Sequence, residues 1–488
     1  MKTSDKLFAV LCVGIVVLFA GQKVLRHRAE KEWEKDLHGR LLYDFRRSRE
    51  EVKDYVARYI PDVTDEEIDS WTESQKLENM ELDGEIRYFR NAGPNLFRID
   101  HRCEAIKAAA EAPEEAVTLS GNSLDGHDAD DAAVIPEIVS AVESNLLSGR
   151  VENLLSGGES NPYLAAPKHY HVRYTLTVDA DAVPAGEKIR CWLPFPRKDH
   201  PRQKDVVFIS ASEPEYTFSD PECPHSTLYM EKIAVAGEPT VFSEEFEYTI
   251  SGEWHPLHPD GVKPYNTSDP KYRRLTSERD AHIRFTPEIR HLADSLGKGI
   301  DNPYLLARKF FTYVNDNFPW ASAREYSTVE NIPMYVLESG HGDCGMVTLL
   351  FMTLCRYKGI PTRWQSGFMM HPSGWNLHDW AEVYFEGPGW VPADQSFGIP
   401  SYALRRESLE GTWAPTGEPV LGDLPEAEFF YLGGIDPYRM IVNSDYGALL
   451  SPRKKFTRSE TVDFQRGEVE WKGGNLYFDK WDYHLEIL

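Results

Sequence analysis

Three residues in the second half of the chain have the types that a thiol-dependent enzyme needs, and they occur in the order Cys344, His378 and Asp394. A cysteine sulfur attacks carbonyl carbon, and an imidazole held by a carboxylate takes up and returns the proton. Each residue alone is weak evidence, because a buried cysteine is usually inert and an aspartate beside a turn is usually a cap. Their value depends on the elements that carry them.

Cys344 is predicted to lie in the first turn of a central, buried helix. Asp343 can cap this helix, and Pro361 follows its end. The segment between them is apolar on both faces, with Met346, Val347, Leu349, Leu350, Phe351, Met352 and Leu354. Unpaired N–H groups and the dipole at a helix start favour a thiolate, and Gly342 and Gly345 leave room for substrate. We therefore expect Cys344 to be the nucleophile and its backbone N–H to be one oxyanion donor.

The chain has six cysteines, too few for a disulfide framework at this length. Cys355 lies about 16 Å beyond Cys344 on the same helix, so the two cannot form a disulfide, and Cys355 is interpreted as a core thiol. Cys191 and Cys223 could form a disulfide in an oxidising compartment or remain as two buried thiols. The sequence contains no Cys-x-x-Cys pair that would indicate a zinc knuckle.

The base and its orienting carboxylate are predicted to lie on one hairpin. Residues 378–385 alternate between two faces, which predicts a strand that begins at His378. A Gly- and Pro-rich turn follows at 386–389 and leads to Asp394. If both side chains point to the same face of the hairpin, Asp394 can fix the tautomer of the imidazole.

The register of this hairpin has two alternatives. A turn centred on Glu386 places Asp394 directly across from His378. A turn centred on Pro388 instead places Glu382 opposite Asp394. Glu382 is therefore the rival candidate for the residue that orients His378.

Several separated motifs resemble the transglutaminase-like superfamily in order and spacing. They are Gly-Asp-Cys-Gly at 342–345, Arg356-x-x-Gly-Ile-Pro361, Gly367-Phe368, His378-Asp-Trp-Ala-Glu382 and Gly389-Trp-Val-Pro-Ala-Asp394. The resemblance covers about 285–400 and implies a papain-like triad of Cys344, His378 and Asp394. Residues 166–255 resemble the domain that often precedes this core in exported bacterial members, and segments 434–439 and 458–471 resemble the end of such proteins. The resemblance does not imply the calcium dependence of animal transglutaminases, because this sequence contains no set of residues that matches their calcium ligands.

The expected fold class is α+β, with a helix that bears the nucleophile packed on an antiparallel sheet. A β-sandwich domain and an N-terminal helical region are expected to precede this papain-like core. The predicted organisation is a signal peptide or membrane anchor at 1–25, a helical region at 26–110, an acidic linker at 111–165, a β-sandwich at 166–255, the catalytic core at 256–400 and a C-terminal extension at 401–488.

The N-terminal segment predicts a location outside the cytoplasm. An apolar run from Leu7 to Ala20 has basic residues on both sides, and its length suits a secretory signal better than a bilayer span. An uncleaved anchor and a cytosolic protein with a buried N-terminal helix are the alternatives. We therefore expect the periplasm or cell envelope, with attachment to the membrane through this segment left open.

Charge and ligand spacing exclude several function classes. A net charge of −25 argues against nucleic-acid binding. The acidic residues Asp125, Asp128, Asp130 and Asp131 lack the calcium-loop pattern. His255 and His258 lie in a proline-rich loop without another ligand at suitable spacing, so they are interpreted as solvated loop residues. We therefore expect no metal and no cofactor.

The predicted function is acyl transfer at amide bonds of a peptide or protein substrate, with hydrolysis by a peptidase or amidase favoured over crosslinking. The alternative is a non-catalytic transglutaminase-like module for binding or assembly at the cell envelope. Four tryptophans are candidates for the walls of the cleft or for core packing: Trp320, Trp375, Trp380 and Trp390.

Overall fold

The structure is a computed structural model that describes residues 34–111, 128–152, 161–372, 374–397, 429–456 and 464–488. The signal peptide or anchor predicted at 1–25 lies outside these residues. Within the described ranges, none of the helices combines the length and apolar character that crossing a bilayer requires.

The chain alternates between helical and strand segments. The helices are α1 (34–44), α2 (Arg49–Val56), α3 (Asp65–Glu73), α4 (Ala92–Ile99), α5 (His101–Glu111), α6 (Asp128–Glu152), α7 (Pro270–Leu275), α8 (Pro287–Leu296), α9 (Pro303–Asn317), α10 (Ile332–Ser339) and α11 (Cys344–Tyr357). The strands are β1 (Asn79–Leu82), β2 (Glu85–Tyr88), β3 (Leu164–Val178), β4 (Lys188–Pro194), β5 (Gln203–Ala211), β6 (Tyr216–Phe218), β7 (Thr227–Ile233), β8 (Thr240–Trp254), β9 (Thr362–His371), β10 (Gly374–Phe385), β11 (Gly389–Ala393), β12 (Gly434–Ile435), β13 (Arg439–Asn443), β14 (Glu468–Trp471), β15 (Gly474–Leu476) and β16 (Trp481–Ile487).

The N-terminal region is a small helical unit with its own hydrophobic core. Ser48 and Thr64 cap α2 and α3, and each cap is completed by a glutamate three residues later that accepts from the cap N–H. The hairpin of β1 and β2 packs with these helices, an addition that the charged sequence did not predict.

The acidic linker predicted at 111–165 requires a correction, because residues 128–152 form α6. Val134, Ile138 and Val142 are buried in the core that this helix shares with β3 and β8. Their spacing places them on one face of a helix, and burial of that face outweighs the acidic composition of the flanking sequence.

Two five-stranded sheets form the β-sandwich. One has the order β12–β8–β3–β16, with β5 added to β8, and the other has the order β15–β14–β4–β7–β6. Their inner faces carry large apolar side chains, including Trp192, Phe246 and Tyr248. Cys191 and Cys223 are free, buried thiols, which is the second of the two alternatives given above.

The core is α+β, as expected: α11 packs on a four-stranded antiparallel sheet with the order β11–β10–β9–β13. Asp343 caps α11 by accepting a hydrogen bond from the backbone N–H of Met346. Cys355 is buried and free near the other end of this helix, in agreement with its interpretation as a core thiol.

Among the described residues, strands from the C-terminal segment join each of the three larger sheets. β13 completes the core sheet, whereas β12, β14, β15 and β16 complete the two sheets of the sandwich. The sheets are therefore built from parts of the chain that are far apart in sequence. The domain boundaries proposed from the sequence remain predictions.

Neither of the two expected hairpin registers is present. Phe385 pairs with Gly389 and Ala381 with Ala393, so the turn centres on Gly387, whose φ is 111°. Continuing this register by one residue places Asp394 opposite Trp380. A local turn of Gly and Pro does not select one register, whereas packing of the strands does.

Candidate active site

Cys344 is the first residue of α11 and lies on the wall of a cavity that His378 also lines. Asp343 fixes this helix start, since its Oδ1 accepts from the Met346 N–H at 3.0 Å and from the Tyr326 hydroxyl at 2.5 Å. The backbone of Cys344 is therefore fixed at the helix start, and its side chain is only partly exposed.

The glycine after the cysteine allows a close approach of β10. A Cβ on Gly345 would lie 2.6 Å from Oδ2 of Asp379 and 3.0 Å from the ring of Trp364. The same Asp379 oxygen lies 3.6 Å from Sγ of Cys344 and accepts a hydrogen bond from the thiol. A larger residue at 345 would therefore have to displace the side chains of Asp379 and Trp364.

The surroundings of the thiol oppose the expected thiolate. Burial raises the pKa of Cys344 well above its ordinary value, and the negative charges of Asp379, Asp343 and Asp394 act in the same direction. A backbone hydrogen bond from Asp379 acts in the opposite direction but does not outweigh them. The helix start carries only about half an elementary charge, so desolvation and three carboxylates prevail. Together these contributions favour the thiol over the thiolate.

His378 and Asp394 form a buried pair, as predicted. Nε2 of His378 lies 2.6 Å from Oδ2 of Asp394. Because Asp394 lies opposite Trp380, it reaches His378 diagonally across the hairpin. A carboxylate can only accept, so Nε2 carries the proton and Nδ1 is left to receive one. Burial lowers the pKa of His378, although Asp394 partly opposes this shift, and the resting imidazole is neutral.

Two aromatic rings fix the plane of the imidazole. The ring of His378 stacks on Trp380 with centroids 5.9 Å apart, and Phe397 meets it edge-on at 5.0 Å. Rotation of the imidazole would require both rings to move. Trp380 therefore acts as packing for His378.

Glu382 is not the partner of His378. It forms an ion pair with Arg363, accepts from Gln365 and lies 3.3 Å from Nε2 of His200. Although burial acts in the other direction, Arg363 and His200 hold the pKa of Glu382 below its ordinary value. The rival orienter proposed from the sequence therefore belongs to a separate ion-pair network.

Among the described residues, the thiol of Cys344 donates to Asp379 and makes no hydrogen bond to His378. Cys344 and His378 thus line one cavity, and Asp394 is buried beside it in contact with His378, whereas the sulfur is directed at Asp379.

Sequence reasoning missed two residues that come from the C-terminal segment. Nε2 of Gln465 donates to the carbonyl of His378 at 2.9 Å and also to Asp379. Nε of Arg439 lies 3.4 Å from Oδ2 of Asp394. Arg439 ends the segment at 434–439 and Gln465 lies within the segment at 458–471, so the resemblance of the tail was a signal for both, although it assigned a role to neither.

The N-terminal helical unit also contributes to the cavity, through Arg90 and Asn91. Asn95 holds this unit in place because its amide donates to the carbonyl of Ser322 at 2.8 Å and its Oδ1 accepts from the Ser322 N–H at 2.9 Å. Trp320 lines the same cavity. This unit therefore forms part of the wall of the cavity.

The other residues considered from the sequence do not line this cavity. Trp375 packs against Phe368, and Trp390 lies under the guanidinium of Arg363. His255 is buried, stacks on Tyr163 and has its Nε2 2.8 Å from Glu253. The interpretation of His255 as a solvated residue is therefore wrong, because the loop folds back onto the sandwich. Within the described ranges, no group of three or more His, Cys, Asp or Glu residues has an arrangement that could hold a metal.

The sequence from 290 to 395 matches the family model of the transglutaminase-like superfamily. Residues 290–395 are a transglutaminase-like core. This core contains Cys344, His378 and Asp394, and the match supports a thiol-dependent enzyme. No similar sequence was found among curated proteins.

Solved structures similar to the chain include a proposed cysteine protease from Cytophaga hutchinsonii, with 12% identity over 67% of this chain and 92% of that chain and a TM-score of 0.43. Another is the periplasmic domain of TgpA from Pseudomonas aeruginosa, with 14% identity over 49% of this chain and 91% of that chain and a TM-score of 0.26. TM-scores below 0.5 establish no shared overall fold, so the assignment of the transglutaminase-like core rests on the match at 290–395.

Proposed function

We propose that the protein is a thiol-dependent acyl-transfer enzyme that acts on amide bonds of peptides or proteins. Cys344 is the nucleophile, His378 the general base and acid, and Asp394 the residue that orients His378. The observation that carries this proposal is the 2.6 Å contact between buried Asp394 and His378, together with the cavity that His378 shares with a thiol at a helix start. No metal or cofactor takes part in the proposed reaction.

Because the resting thiol and imidazole are both neutral, the proton moves as the sulfur attacks. Sγ of Cys344 bonds to the carbonyl carbon while its proton passes to Nδ1 of His378. Asp394 stabilises the imidazolium that forms, and the backbone N–H of Cys344 is one donor to the oxyanion. When the carbon–nitrogen bond breaks, the same proton passes to the leaving amine.

The thioester that remains on Cys344 can react with water or with a second amine. Water gives hydrolysis and a free carboxylic acid, whereas an amine gives a crosslink or an exchanged amide. We favour hydrolysis, in keeping with the predicted peptidase or amidase, and the two reactions differ only in the nucleophile that enters the second step.

The test is incubation of the protein with peptide pools, with and without a primary amine, followed by mass spectrometry. Cleaved or deamidated products without added amine support hydrolysis, and products that gain the mass of the amine support transfer. Cys344→Ala is the control, and turnover that persists in this variant overturns the proposal.

A second candidate function is a non-catalytic binding module, favoured by one observation. The thiol donates to Asp379 rather than to His378, and the pKa of Cys344 is raised well above its ordinary value. A thiol-reactive amide probe separates the two functions. Selective modification of Cys344 supports the enzyme, whereas equal modification of Cys355 undermines it.

We also propose that the substrate is met outside the cytoplasm, on the basis of the apolar N-terminal run. Cell fractionation tests this location, with an antibody against the transglutaminase-like core used to detect the chain. A full-length chain in the cytosol, with the first twenty residues retained, contradicts it.

A further inference from the structure

Arg439 contacts Asp394 of the proposed triad. It is fully buried on β13, next to β9, and its Nε lies 3.4 Å from Oδ2 of Asp394. That oxygen is the one that accepts from His378. A single carboxylate oxygen therefore interacts with both the imidazole and a buried guanidinium.

The guanidinium is held by contacts on several sides. Nη1 lies 2.9 Å from Oδ2 of Asp436 and donates to Nε2 of His371 at 3.1 Å. The ring of Phe397 packs against the guanidinium, with its centroid 4.0 Å from the central carbon. Phe397 also meets His378 edge-on. The position of Arg439 is therefore set by three side chains besides Asp394.

The charges of this cluster act on His378 in opposite directions. Burial lowers the pKa of His378; Asp394 and Asp436 raise it, and Arg439 lowers it. The groups that surround the imidazole come from several elements: Asp394 after β11, Arg439 on β13, Asp436 before β13, His371 on β9 and Asp379 on β10. In a buried site these charges are poorly screened, so the balance among them is sensitive to each one.

We propose that Arg439 and Asp436 are positioning residues for the Asp394–His378 pair and set how strongly Asp394 supports a charge on the imidazole. This inference rests on the proposed function. Arg439 shares the Asp394 oxygen with His378 and so keeps the imidazole neutral until the thiol gives up its proton. Asp436 limits this effect because it is the stronger partner of the guanidinium. Both residues lie outside the transglutaminase-like core at 290–395.

The test measures the titration of the His378 imidazole by NMR in the Cys344→Ala protein, which removes coupling to the thiol. Arg439→Gln should raise the pKa of His378 by about one unit, because it removes a nearby positive charge. Asp436→Asn should lower the pKa of His378. The substitution removes a negative charge, and the guanidinium of Arg439 then interacts more strongly with Asp394. Shifts of opposite sign distinguish electrostatic tuning from general disruption of the site.

The pH profile of kcat/KM in the protein with Cys344 intact is the second readout. Since the base acts as a neutral imidazole, its acid limb should move to higher pH in Arg439→Gln and to lower pH in Asp436→Asn. Arg439→Lys should keep the acid limb near that of the parent but reduce kcat, because an ammonium cannot make the same forked contacts.

Arg356→Gln is the matched control, since Arg356 is also a buried arginine but donates to the carbonyl of Thr362 rather than to a carboxylate. It should leave the pKa of His378 unchanged. Equal shifts in the Arg356 and Arg439 variants, or shifts of the same sign in Arg439→Gln and Asp436→Asn, overturn the proposal.

If Arg439→Gln fails to fold, the variants Asp436→Asn and Arg439→Lys test the proposal in its place. A lowered His378 pKa in Asp436→Asn supports the proposal, and an unchanged one overturns it. The NMR titration does not need turnover. Failure of this inference is therefore distinguishable from failure of the proposed enzyme, which would appear as peptide turnover that does not depend on Cys344.

Discussion

The two strands that flank β9 bring different kinds of residue to the site. On one side, β10 and the end of β11 carry His378 and Asp394, which lie close together in sequence within the transglutaminase-like core. On the other side, β13 brings Arg439 from beyond a long segment of chain, and Gln465 follows later still. The proposed reacting groups are thus local in sequence, whereas the groups that hold them are distant. Conclusions about chemistry and about positioning therefore rest on different parts of the chain.

The largest effect is expected from loss of the Cys344 thiol, because it is the proposed nucleophile among the reacting groups. Cys344→Ala should reduce turnover by about 10³-fold or more, because no other group can form the acyl intermediate. Its melting temperature should stay near that of the parent, since the side chain is partly exposed and alanine leaves a small cavity. Peptide turnover and thermal unfolding measure the two quantities.

Cys355→Ala is the control for that variant. It should keep turnover and lose about 1 kcal/mol in the free energy of unfolding, because this thiol is buried in the core. A variant at 344 that loses as much stability as the variant at 355 would show that the first position is structural.

On the β10 side, Asp394→Asn should lower kcat by between about 10²- and 10⁴-fold with the fold preserved. The effect is large because the resting thiol and imidazole are neutral, so charge on His378 appears only during the reaction. Steady-state kinetics on the peptide substrate provide the measurement.

Glu382→Gln is the matched variant for Asp394→Asn, since it is also a buried carboxylate on this sheet but pairs with Arg363. It should lower the melting temperature and leave kcat within a few-fold of the parent. A larger loss of kcat at 382 than at 394 would reverse the assignment of the orienting residue.

On the distant side, Gln465→Ala should reduce kcat/KM by about three- to ten-fold, the value of one or two hydrogen bonds. The amide holds the His378 carbonyl and Asp379, so its loss loosens the site without removing a reacting group. Gln203→Ala serves as the control, because this buried amide also donates to backbone carbonyls, those of Arg197 and Ile441. Equal losses of kcat/KM in the Gln465 and Gln203 variants would mean that Gln465 has no particular role in holding the site.

The smallest expected effect concerns the resting thiol. Alkylation of Cys344 by iodoacetamide should be slow at neutral pH and rise through a pKa above the ordinary thiol value of about 8.5. Asp379→Asn removes a charge that raises this pKa, so its profile should move to lower pH by about one unit. A profile in the parent that reaches its plateau below pH 7 would mean that the thiolate is already formed at rest.

The sequence by itself determined the elements that carry the proposed reacting groups. The cap at Asp343, the apolar run after it and Pro361 fix α11 with Cys344 at its start, because these signals act within a few residues. The alternation over 378–385 likewise predicted the second part of β10, which begins at Gly374, and the glycine-rich turn predicted a hairpin that returns to Asp394. These elements follow from local backbone preference and from periodicity of apolar residues.

Only the tertiary structure decided how these elements meet. The register that sets Asp394 diagonal to His378, the helix at 128–152 and the burial that keeps Cys344 protonated all depend on packing between distant segments. Arg439 and Gln465 reach the site only because β13 pairs with β9 and the tail folds back over the core. Desolvation and charge–charge interactions act through space, so a local pattern of residues carries no record of them.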